Sequence, residues 1–337
     1  MAKRIGKRTI QLESRPGIVS FASVVGGKEG AGPLKKGFDE VSADSYFGQE
    51  SWEKAESSML RQAFSIACDK AKTTPSALSC VLTGDLLNQC VSSSFALRDS
   101  GVPHLGLYGA CSTMAESLML GALLLDGGFA DAVCAMTGSH FCAAERQYRF
   151  PLEYGGQRTP SSQWTVTGAG AVILGKESGR LRIPLVTPGR IVDAGISDPS
   201  NMGAAMAPAA FDTLSAHFAD TGRTPKDYDA IFTGDLGALG HDLLETLFRD
   251  RGEELGPGYQ DCGVLIYDLK AQNVNAGGSG CGCSASVLCG HILSGMERGL
   301  WKRVLFAATG ALMSPTSAMQ GESIPGICHA VVIERED

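Results

Sequence analysis

The chain has 337 residues, of which 44% are hydrophobic and 19% charged, and its net charge is −7. This composition excludes a disordered chain, and the length allows two domains or one large pseudo-symmetric unit. The acidic balance argues against nucleic acid as a partner, because phosphate binding requires clustered Lys and Arg. The basic run at residues 3–8 is interpreted as a solvated arm rather than a lipid contact, and we expect neither a signal peptide nor a transmembrane segment. Eleven Cys residues without an extracellular signal predict a reducing compartment and mostly free thiols.

Helices and strands alternate along the first half of the chain. Apolar residues spaced three and four apart indicate the helices, and short apolar runs indicate the strands. The segment 112–125 is apolar or small on nearly every face, so this helix is expected to be buried on all sides. The predicted elements are a helix at 51–72, a strand at 80–83, a helix at 86–100, a strand end at 106–109, the helix at 112–125 and strands at 132–137 and 170–174.

The second half repeats the first after a stretch rich in Gly and Pro near residues 184–208. Thr83-Gly84-Asp85-Leu86 recurs as Thr233-Gly234-Asp235-Leu236, and two later strands match in the same order. The chain is therefore predicted to be a tandem duplication, with halves at 1–180 and 181–337 and its site at the seam between them. The predicted elements are a strand at 229–233, a helix at 241–251, a second small-residue helix at 284–299 and strands at 303–309 and 329–335.

The order of these elements predicts the fold class. Strands that alternate with crossover helices indicate a mainly parallel sheet with both faces covered. Two such sheets, separated by the two small-residue helices, would form five layers. The predicted fold is therefore α/β, with a five-layered α-β-α-β-α architecture built from two duplicated halves.

The sharpest local signal is Gly109-Ala110-Cys111-Ser112-Thr113, which places a Cys at a strand-to-helix turn. Free backbone N–H groups and the helix dipole at such a turn favour negative charge. They would lower the pKa of the Cys111 thiol and make it a nucleophile, or they would seat a ligand carboxylate. A small residue packed in the core is the structural alternative.

The turn at 108–112 and the glycine-rich segment 167–174 resemble the thiolase superfamily, nearest its β-ketoacyl synthase III type. The resemblance implies the duplicated five-layered fold, commonly as a homodimer. Condensing enzymes of this type have a His after the first strand of the second half and an Asn before the second central helix. This chain has 233–235 (Thr-Gly-Asp) and 280–284 (Gly-Cys-Gly-Cys-Ser) at those places. Because each missing group is worth about 10²–10⁴-fold in rate, we expect that the chain is not an enzyme.

Residues 138–151, 153–157 and 163–168 resemble a more specific family, the stage V sporulation AD proteins of endospore-forming bacteria. That resemblance implies binding of dipicolinic acid (pyridine-2,6-dicarboxylate) within the membrane machinery that loads it into the developing spore. The implied partners are other membrane proteins of the stage V sporulation A complex. The implied location is peripheral to the spore inner membrane, in the forespore. No cofactor is expected, and the sequence leaves open whether calcium accompanies the ligand.

A flat dianion of this kind requires Arg forks or backbone N–H groups for its carboxylates and an apolar or aromatic slot for its ring. The loop over residues 140–154 follows a strand end and is expected to border the cleft at the Cys. Its two arginines could instead form a solvated helix face, and at least one of the two strand-end aspartates is expected to cap a helix. The predicted ligand-binding residues are Cys111, His140, Arg146, Arg149, Tyr148, Tyr154, Asp85 and Asp235.

Two other functions remain open. Cys111 could be acylated with His140 as an unorthodox base, which would make the chain an acyltransferase, or the cleft could be empty in a scaffold protein. No metal site is predicted, because Cys281 and Cys283 lack the two further ligands of a zinc site and are expected to be packed in the core. A G-x-G-x-x-A match at 280–285 lacks an acidic ribose ligand, which argues against a dinucleotide cofactor.

Overall fold

A computed structural model of the protein describes residues 3–148, 158–176 and 179–336. The strands of the first half are β1 (Lys3–Arg4), β2 (Ile10–Gln11), β3 (Gly17–Gly26), β4 (Glu40–Ser42), β5 (Cys80–Gly84), β6 (His104–Gly106), β7 (Ala132–Ser139), β8 (Trp164–Thr165) and β9 (Gly168–Gly175). Its helices are α1 (Gly27–Gly30), α2 (Trp52–Ala71), α3 (Val91–Leu97), α4 (Thr113–Asp126) and α5 (Phe141–Tyr148).

The second half has a matching succession of elements. Its strands are β10 (Leu181–Thr187), β11 (Ala230–Thr233), β12 (Tyr259–Asp261), β13 (Gly278–Ser279), β14 (Arg303–Ala311) and β15 (Gly326–Arg335). Its helices are α6 (Met202–Thr221), α7 (Gly237–Asp250), α8 (Cys262–Leu265), α9 (Cys281–Val287), α10 (Ser294–Glu297) and α11 (Pro315–Met319), with a π-helical segment (Leu288–Leu293) that joins α9 to α10.

Ten of the strands lie side by side in the order β12-β11-β14-β15-β10-β3-β9-β7-β5-β6. Each half supplies five of them in the same internal order, which confirms the predicted duplication. The sheet is mixed rather than mainly parallel, since β9 and β15 run antiparallel to both neighbours. Antiparallel pairing is possible there because the connections that precede these strands need not cross the sheet. The halves join where β10 pairs with β3, at Leu181–Ile18 and Arg182–Gly17.

The helices complete five layers around these strands. Helix α2 covers β3, β9 and β7 on one outer side, and α6 covers β14 and β15 on the other. Helices α4 and α9 lie in the middle layer, and α4 contacts strands of both halves. Met114, Leu118 and Ala122 of α4 are fully buried, as its composition predicts. The expected α-β-α-β-α architecture is therefore confirmed.

Helix α2 illustrates how the local sequence sets the ends of an element. Ser51 Oγ caps its first turn by accepting a hydrogen bond from Lys54 N at 3.4 Å. Lys72 ends it in the left-handed conformation, at a φ of 53°. Between these caps, Ala55 and Met59 are fully buried, as their four-residue spacing predicts. The sequence prediction at 51–72 is confirmed at both ends.

The stretch at 184–208 differs from the prediction, because it is not a simple connection. It contains most of β10 and the first turns of α6. Pro184 is accommodated in β10 because the pairing of β10 with β15 is irregular between Arg182 and Leu185. Bulges of this kind tolerate a residue that cannot donate to the ladder.

The helix predicted at 86–100 is also shorter than expected, since only α3 is α-helical. Gln89 and Cys90 have φ values of 56° and 50°, so the chain makes a tight turn before the helix begins. Residues in that conformation cannot continue a right-handed helix. Among the described residues, no helix is both long enough and apolar enough to cross a bilayer.

Candidate functional site

The turn that carries Cys111 lies where the carboxyl ends of parallel strands from the two halves meet. A short 3₁₀ turn leads into α4, and Ala110 in this turn has a φ of 50°. Ser112 Oγ donates a hydrogen bond to Gly109 O at 2.7 Å. Gly310 of β14 approaches so closely that a Cβ there would lie 2.4 Å from Gly109 O. Packing thus holds the turn in a conformation that few non-glycine residues adopt.

A cavity opens at this turn. It holds about 710 Å³ including its open mouth, and apolar atoms form most of its wall. Its lining residues come from both halves of the chain, so the cavity lies at the seam between them. They include Leu86, Cys111, Ala144, Tyr148, Gln163 and Met313.

Cys111 is buried, and burial affects the acidity of its thiol. Burial raises the pKa of the Cys111 thiol well above its ordinary value, and the nearby Asp235 and Cys281 raise it further. The pKa is therefore shifted in the direction opposite to the one expected from the start of α4, because burial removes the solvation of a thiolate. A thiol with a raised pKa is a poor nucleophile at neutral pH.

Asp235 is fully buried beside Cys111 and interacts with its thiol. Its carboxyl oxygens accept hydrogen bonds from Gly280 N at 2.9 Å, Ser279 Oγ at 3.2 Å and Thr309 Oγ1 at 3.0 Å. Burial nevertheless raises the pKa of Asp235 to about 7. Near neutral pH the group is therefore present both as a carboxylate and as an acid, and the acid form can donate a hydrogen bond.

The two aspartates of the repeated Thr-Gly-Asp-Leu segment have different roles. Asp85 accepts a hydrogen bond from Ser93 N at 2.7 Å, so it caps the turn at α3 and is not among the cavity residues. The start of α7 is held instead by Asp261, which accepts from Gly237 N at 2.9 Å. Asp235 is therefore left to face the thiol, although the sequence around it repeats that of Asp85.

His140 follows β7, but it is not among the residues that line the cavity. Its Nε2 atom makes a hydrogen bond with Ser45 O at 2.7 Å, and its backbone N donates to Glu56 Oε2 at 3.1 Å. Burial lowers the pKa of His140, so its ring is neutral at physiological pH. The predicted roles of a cationic ligand contact and of a base for Cys111 do not fit this position.

The remaining predicted residues are divided between the cavity and the surface. Tyr148 lines the cavity, and its hydroxyl donates to Leu86 O at 2.6 Å. Arg146 is instead half exposed, where it forms an ion pair with Glu53 and lies with its guanidinium carbon 5.1 Å from the ring centre of Trp52. Two predicted residues lie outside the described part of the chain: Arg149 and Tyr154.

Two residues at the cavity are missing from the sequence prediction, Arg158 and Gln163. Arg158 lies 3.2 Å from Glu145 of the cavity wall and 4.8 Å from the ring centre of Trp164. Gln163 Nε2 donates to Asp235 O at 2.7 Å and so braces the segment that carries the acid. Both lie in or beside the segments that carry the family resemblance. A single polar residue has no periodicity, however, so the sequence pattern does not identify it as a site residue.

One group of side chains with metal-ligand chemistry lies away from the cavity. Ligand atoms of His241, Asp242 and Glu245 on α7 lie within 4.8 Å of one another. His241 Nδ1 lies 3.2 Å from Asp242 Oδ1, and the His241 ring stacks on Tyr259, so contacts within the protein account for most of this group. Cys281 is a packed core residue whose thiol donates to Gly138 O at 3.0 Å.

Comparison with known structures shows the fold. The 3-oxoacyl-[acyl-carrier-protein] synthase III from Aquifex aeolicus VF5 has a TM-score of 0.58 at 13% identity, over 95% of this chain and 99% of that one. Human mitochondrial 3-ketoacyl-CoA thiolase in complex with CoA has a TM-score of 0.57 at 14% identity, over 96% and 99%. Cerulenin-bound OleA from Xanthomonas campestris has a TM-score of 0.60 at 12% identity, over 95% and 97%. These similarities confirm the predicted thiolase-like fold.

Comparison with known sequences is more specific. The family model described as stage V sporulation protein AD matches residues 6–334. Stage V sporulation protein AD of Bacillus subtilis (strain 168) is 44% identical over 333 residues, which cover 99% of this chain and 98% of that protein. Because both matches span almost the whole sequence, the chain belongs to the stage V sporulation protein AD family.

Proposed function

We propose that this protein is a non-catalytic receptor for dipicolinic acid and takes part in loading it into the developing spore. Membership of the sporulation family supports the biological setting, and the cavity at Cys111 supports the binding of a small ligand. The contact between Asp235 and Cys111 carries the proposal. The buried thiol faces a carboxyl group where a condensing enzyme of this type needs an imidazole.

The chemistry of the site favours binding over acyl transfer. Acyl transfer requires a thiolate and a donor that polarises the thioester carbonyl. Burial and the neighbouring Asp235 both raise the pKa of the Cys111 thiol, so the thiolate is scarce. The histidine that the sequence suggested as a base, His140, forms a hydrogen bond with Ser45 O instead.

The cavity has features that complement a flat aromatic dicarboxylate. Leu86, Tyr148 and Met313 provide apolar surface for the ring. The first turn of α4 provides the positive end of a helix dipole for one carboxylate. Asp235 repels the ligand only when it is ionised, and the pKa of Asp235 is raised to about 7. Binding is therefore expected to strengthen as the pH falls below 7.

The receptor would act beside a membrane, docked to other proteins of the stage V sporulation A complex. This part of the proposal is supported by the family alone. The proposed location is peripheral to the spore inner membrane, in the forespore. Dipicolinic acid would arrive free or as its calcium chelate. A homodimer is the expected state, as is common for this fold.

Calorimetric titration with dipicolinic acid tests the receptor. We expect saturable binding, weakened at least tenfold by Ala144→Met, because Ala144 is buried in the cavity wall and a longer side chain would fill the cavity. Arg249→Gln is the matched control, since Arg249 is exposed on α7 and is not among the cavity residues, and it should change the affinity less than twofold. A folded protein that shows no saturable binding would overturn the receptor.

The strained turn at Ala110 supports a second candidate, an acyltransferase that carries an acyl group on Cys111. Mass spectrometry after incubation with an acyl-CoA distinguishes the two. An adduct that maps to Cys111 and disappears in Cys111→Ala would favour the enzyme. Saturable binding of dipicolinic acid without an adduct would favour the receptor.

A further inference from the structure

A second concave site lies on the outer surface, between α2 and α3. This α2–α3 groove holds about 850 Å³ including its open mouth, measured in the same way as the cavity at Cys111. Its wall carries three cationic side chains, one anionic side chain and one large exposed ring. These are Lys54, Arg61, Arg98, Glu53 and Phe95.

The groove has a net charge of about +2, counted over those side chains with Lys and Arg as +1 and Glu as −1. Lys54 pairs with Glu50 at 2.9 Å and Arg98 with Asp99 at 3.3 Å, and all four side chains are mostly exposed. Such pairs are weak and exchange readily with another anion. Within the described part of the chain, Arg61 has no ion-pair partner. The cations are therefore available to a ligand.

Phe95 gives the groove an aromatic surface. Its side chain is 51% exposed, so the ring is open to solvent and to a ligand. The guanidinium carbon of Arg98 lies 5.4 Å from the centre of its ring. A planar ligand would take the place of the Arg98 guanidinium on the ring of Phe95, and Arg98 would then bind its edge together with Arg61, which also lines the groove. Arg binds carboxylates in this planar, bidentate manner.

The inner cavity lacks this excess of positive charge. Among its described lining residues, Glu145 alone carries a charged side chain, and Arg158 pairs with it at 3.2 Å, while the carboxyl group of Asp235 lies beside Cys111. A dianion that approaches the protein is thus attracted by the groove and not by the cavity wall. Electrostatic attraction of this kind raises the local ligand concentration and the association rate.

A structural connection links the two sites. Glu53 of the groove pairs with Arg146 of α5. The same helix supplies Ala144 and Tyr148 to the wall of the inner cavity. The groove is therefore one helix away from the cavity, and a ligand held in it lies next to the cavity wall.

We propose that the α2–α3 groove is a separate binding site for planar aromatic dicarboxylates, with Arg61 and Arg98 as the carboxylate contacts and Phe95 as the stacking surface. The identity of the natural ligand, dipicolinic acid, rests on the proposed function. The preference of the groove for an aromatic dianion is independent of the proposed function, because it follows from the charges and the exposed ring.

The test uses dipicolinate and isophthalate, which has the same carboxylate spacing but no ring nitrogen. Calorimetry of the full chain at low salt should show saturable isophthalate binding. Arg61→Gln combined with Arg98→Gln should weaken it at least tenfold, and Lys54→Gln alone should weaken it a few-fold. Arg249→Gln combined with Arg298→Gln removes the same charge from exposed positions elsewhere and should change the isophthalate affinity less than twofold.

Because the groove is open to solvent, raising the NaCl concentration from about 50 to about 300 mM should also weaken isophthalate binding severalfold.

The outcomes separate the groove from the cavity. Isophthalate binding that is absent, or that the double groove variant leaves unchanged, would overturn the groove. If Ala144→Met then weakens dipicolinate binding and the groove variant does not, the proposed receptor is supported without the groove. If the double groove variant weakens isophthalate binding, but dipicolinate binds no more tightly than isophthalate and its affinity is unchanged by Ala144→Met, the groove proposal is supported and the receptor cavity is contradicted. A circular dichroism melt of each variant shows that it is folded.

Discussion

The carboxyl group of Asp235 lies against the thiol of Cys111, and each residue comes from a different half of the chain. The acid is held by Gly280 N at 2.9 Å and Thr309 Oγ1 at 3.0 Å, so it cannot swing away from the thiol without losing both. A buried acid fixed beside a buried thiol makes the site sensitive to protons, and it withholds the thiolate that acyl transfer needs.

Replacing Asp235 by Asn should change how stability depends on pH. The pKa of Asp235 is about 7 in the folded protein and about 3.8 for an unperturbed Asp. Between these values the folded protein keeps a proton that the unfolded chain has lost, so stability falls as the pH rises from about 4 to about 7. The Asn variant should lack this pH dependence. Its free energy of unfolding, compared with that of the wild type, should be more favourable at pH 8 than at pH 4 by on the order of 2–4 kcal/mol. Urea unfolding at several pH values measures it.

Asp212 provides the control of opposite sign. Its carboxylate pairs with Arg8 at 2.7 Å and Arg190 at 2.8 Å, and its pKa is lowered. Its stabilising contribution is therefore present at neutral pH and lost as the pH falls below the ordinary Asp range. Asp212→Asn should destabilise the protein at pH 7 but not at acid pH. If Asp235→Asn kept the wild-type dependence of stability on pH, it would contradict the raised pKa of Asp235.

Cys111 should react slowly with iodoacetamide in the folded protein. Its thiol is buried and its pKa is raised, whereas Cys90 and Cys142 are only half buried. Peptide mapping after brief alkylation at pH 8 should find the label on Cys90 and Cys142 before Cys111. Denatured protein, in which all thiols react, gives the reference for complete alkylation of each Cys. Preferential labelling of Cys111 would show an activated thiol and favour the acyltransferase.

Gly310→Ala should disturb the turn that carries Cys111. A Cβ at this position would lie 2.4 Å from Gly109 O and 3.0 Å from Ser112 N, and both are backbone atoms that cannot rotate away. We expect a loss of about 1–3 kcal/mol in the free energy of unfolding, together with weaker ligand binding. Gly106→Ala is the control, since its nearest neighbour would be His104 at 3.7 Å. Equal effects of the two changes would argue against the close packing.

His140→Ala should lower stability and leave ligand affinity nearly unchanged. The ring holds Ser45 O at 2.7 Å, and a buried hydrogen bond of this kind is worth about 0.5–1.5 kcal/mol. Denaturant unfolding should detect that loss, while calorimetry with dipicolinic acid should show less than a twofold change in affinity. A tenfold loss of affinity in a stable variant would instead place His140 at the ligand.

The fold is largely predictable from sequence because its signals are local or repeated. The caps at Ser51 and Lys72 mark both ends of α2, and the uniform burial of α4 follows from its small and apolar residues. The duplication shows in matching strand segments and predicts the shared strand order. Neither β3 nor α6 is predicted from the sequence, because a buried strand and a helix with an internal Pro lack a clear period.

The site is less predictable because its contacts are set by distant residues. Asp85 and Asp235 lie in the same four-residue segment, yet Asp85 caps a turn and Asp235 faces a thiol. The difference arises because Asp261 holds the start of α7. His140 is turned to Ser45, almost a hundred positions earlier, and no spacing rule indicates that contact.

The middle position of α4 has a consequence for biosynthesis. This helix packs on strands of both halves, including β15, so the first half leaves one side of it bare until the second half has been made. Strand β15 then pairs with β10 and β14 to close the sheet over it. A nascent chain on the ribosome would therefore carry an exposed apolar helix for the time needed to translate roughly half the protein. During that interval the protein is expected to depend on chaperones.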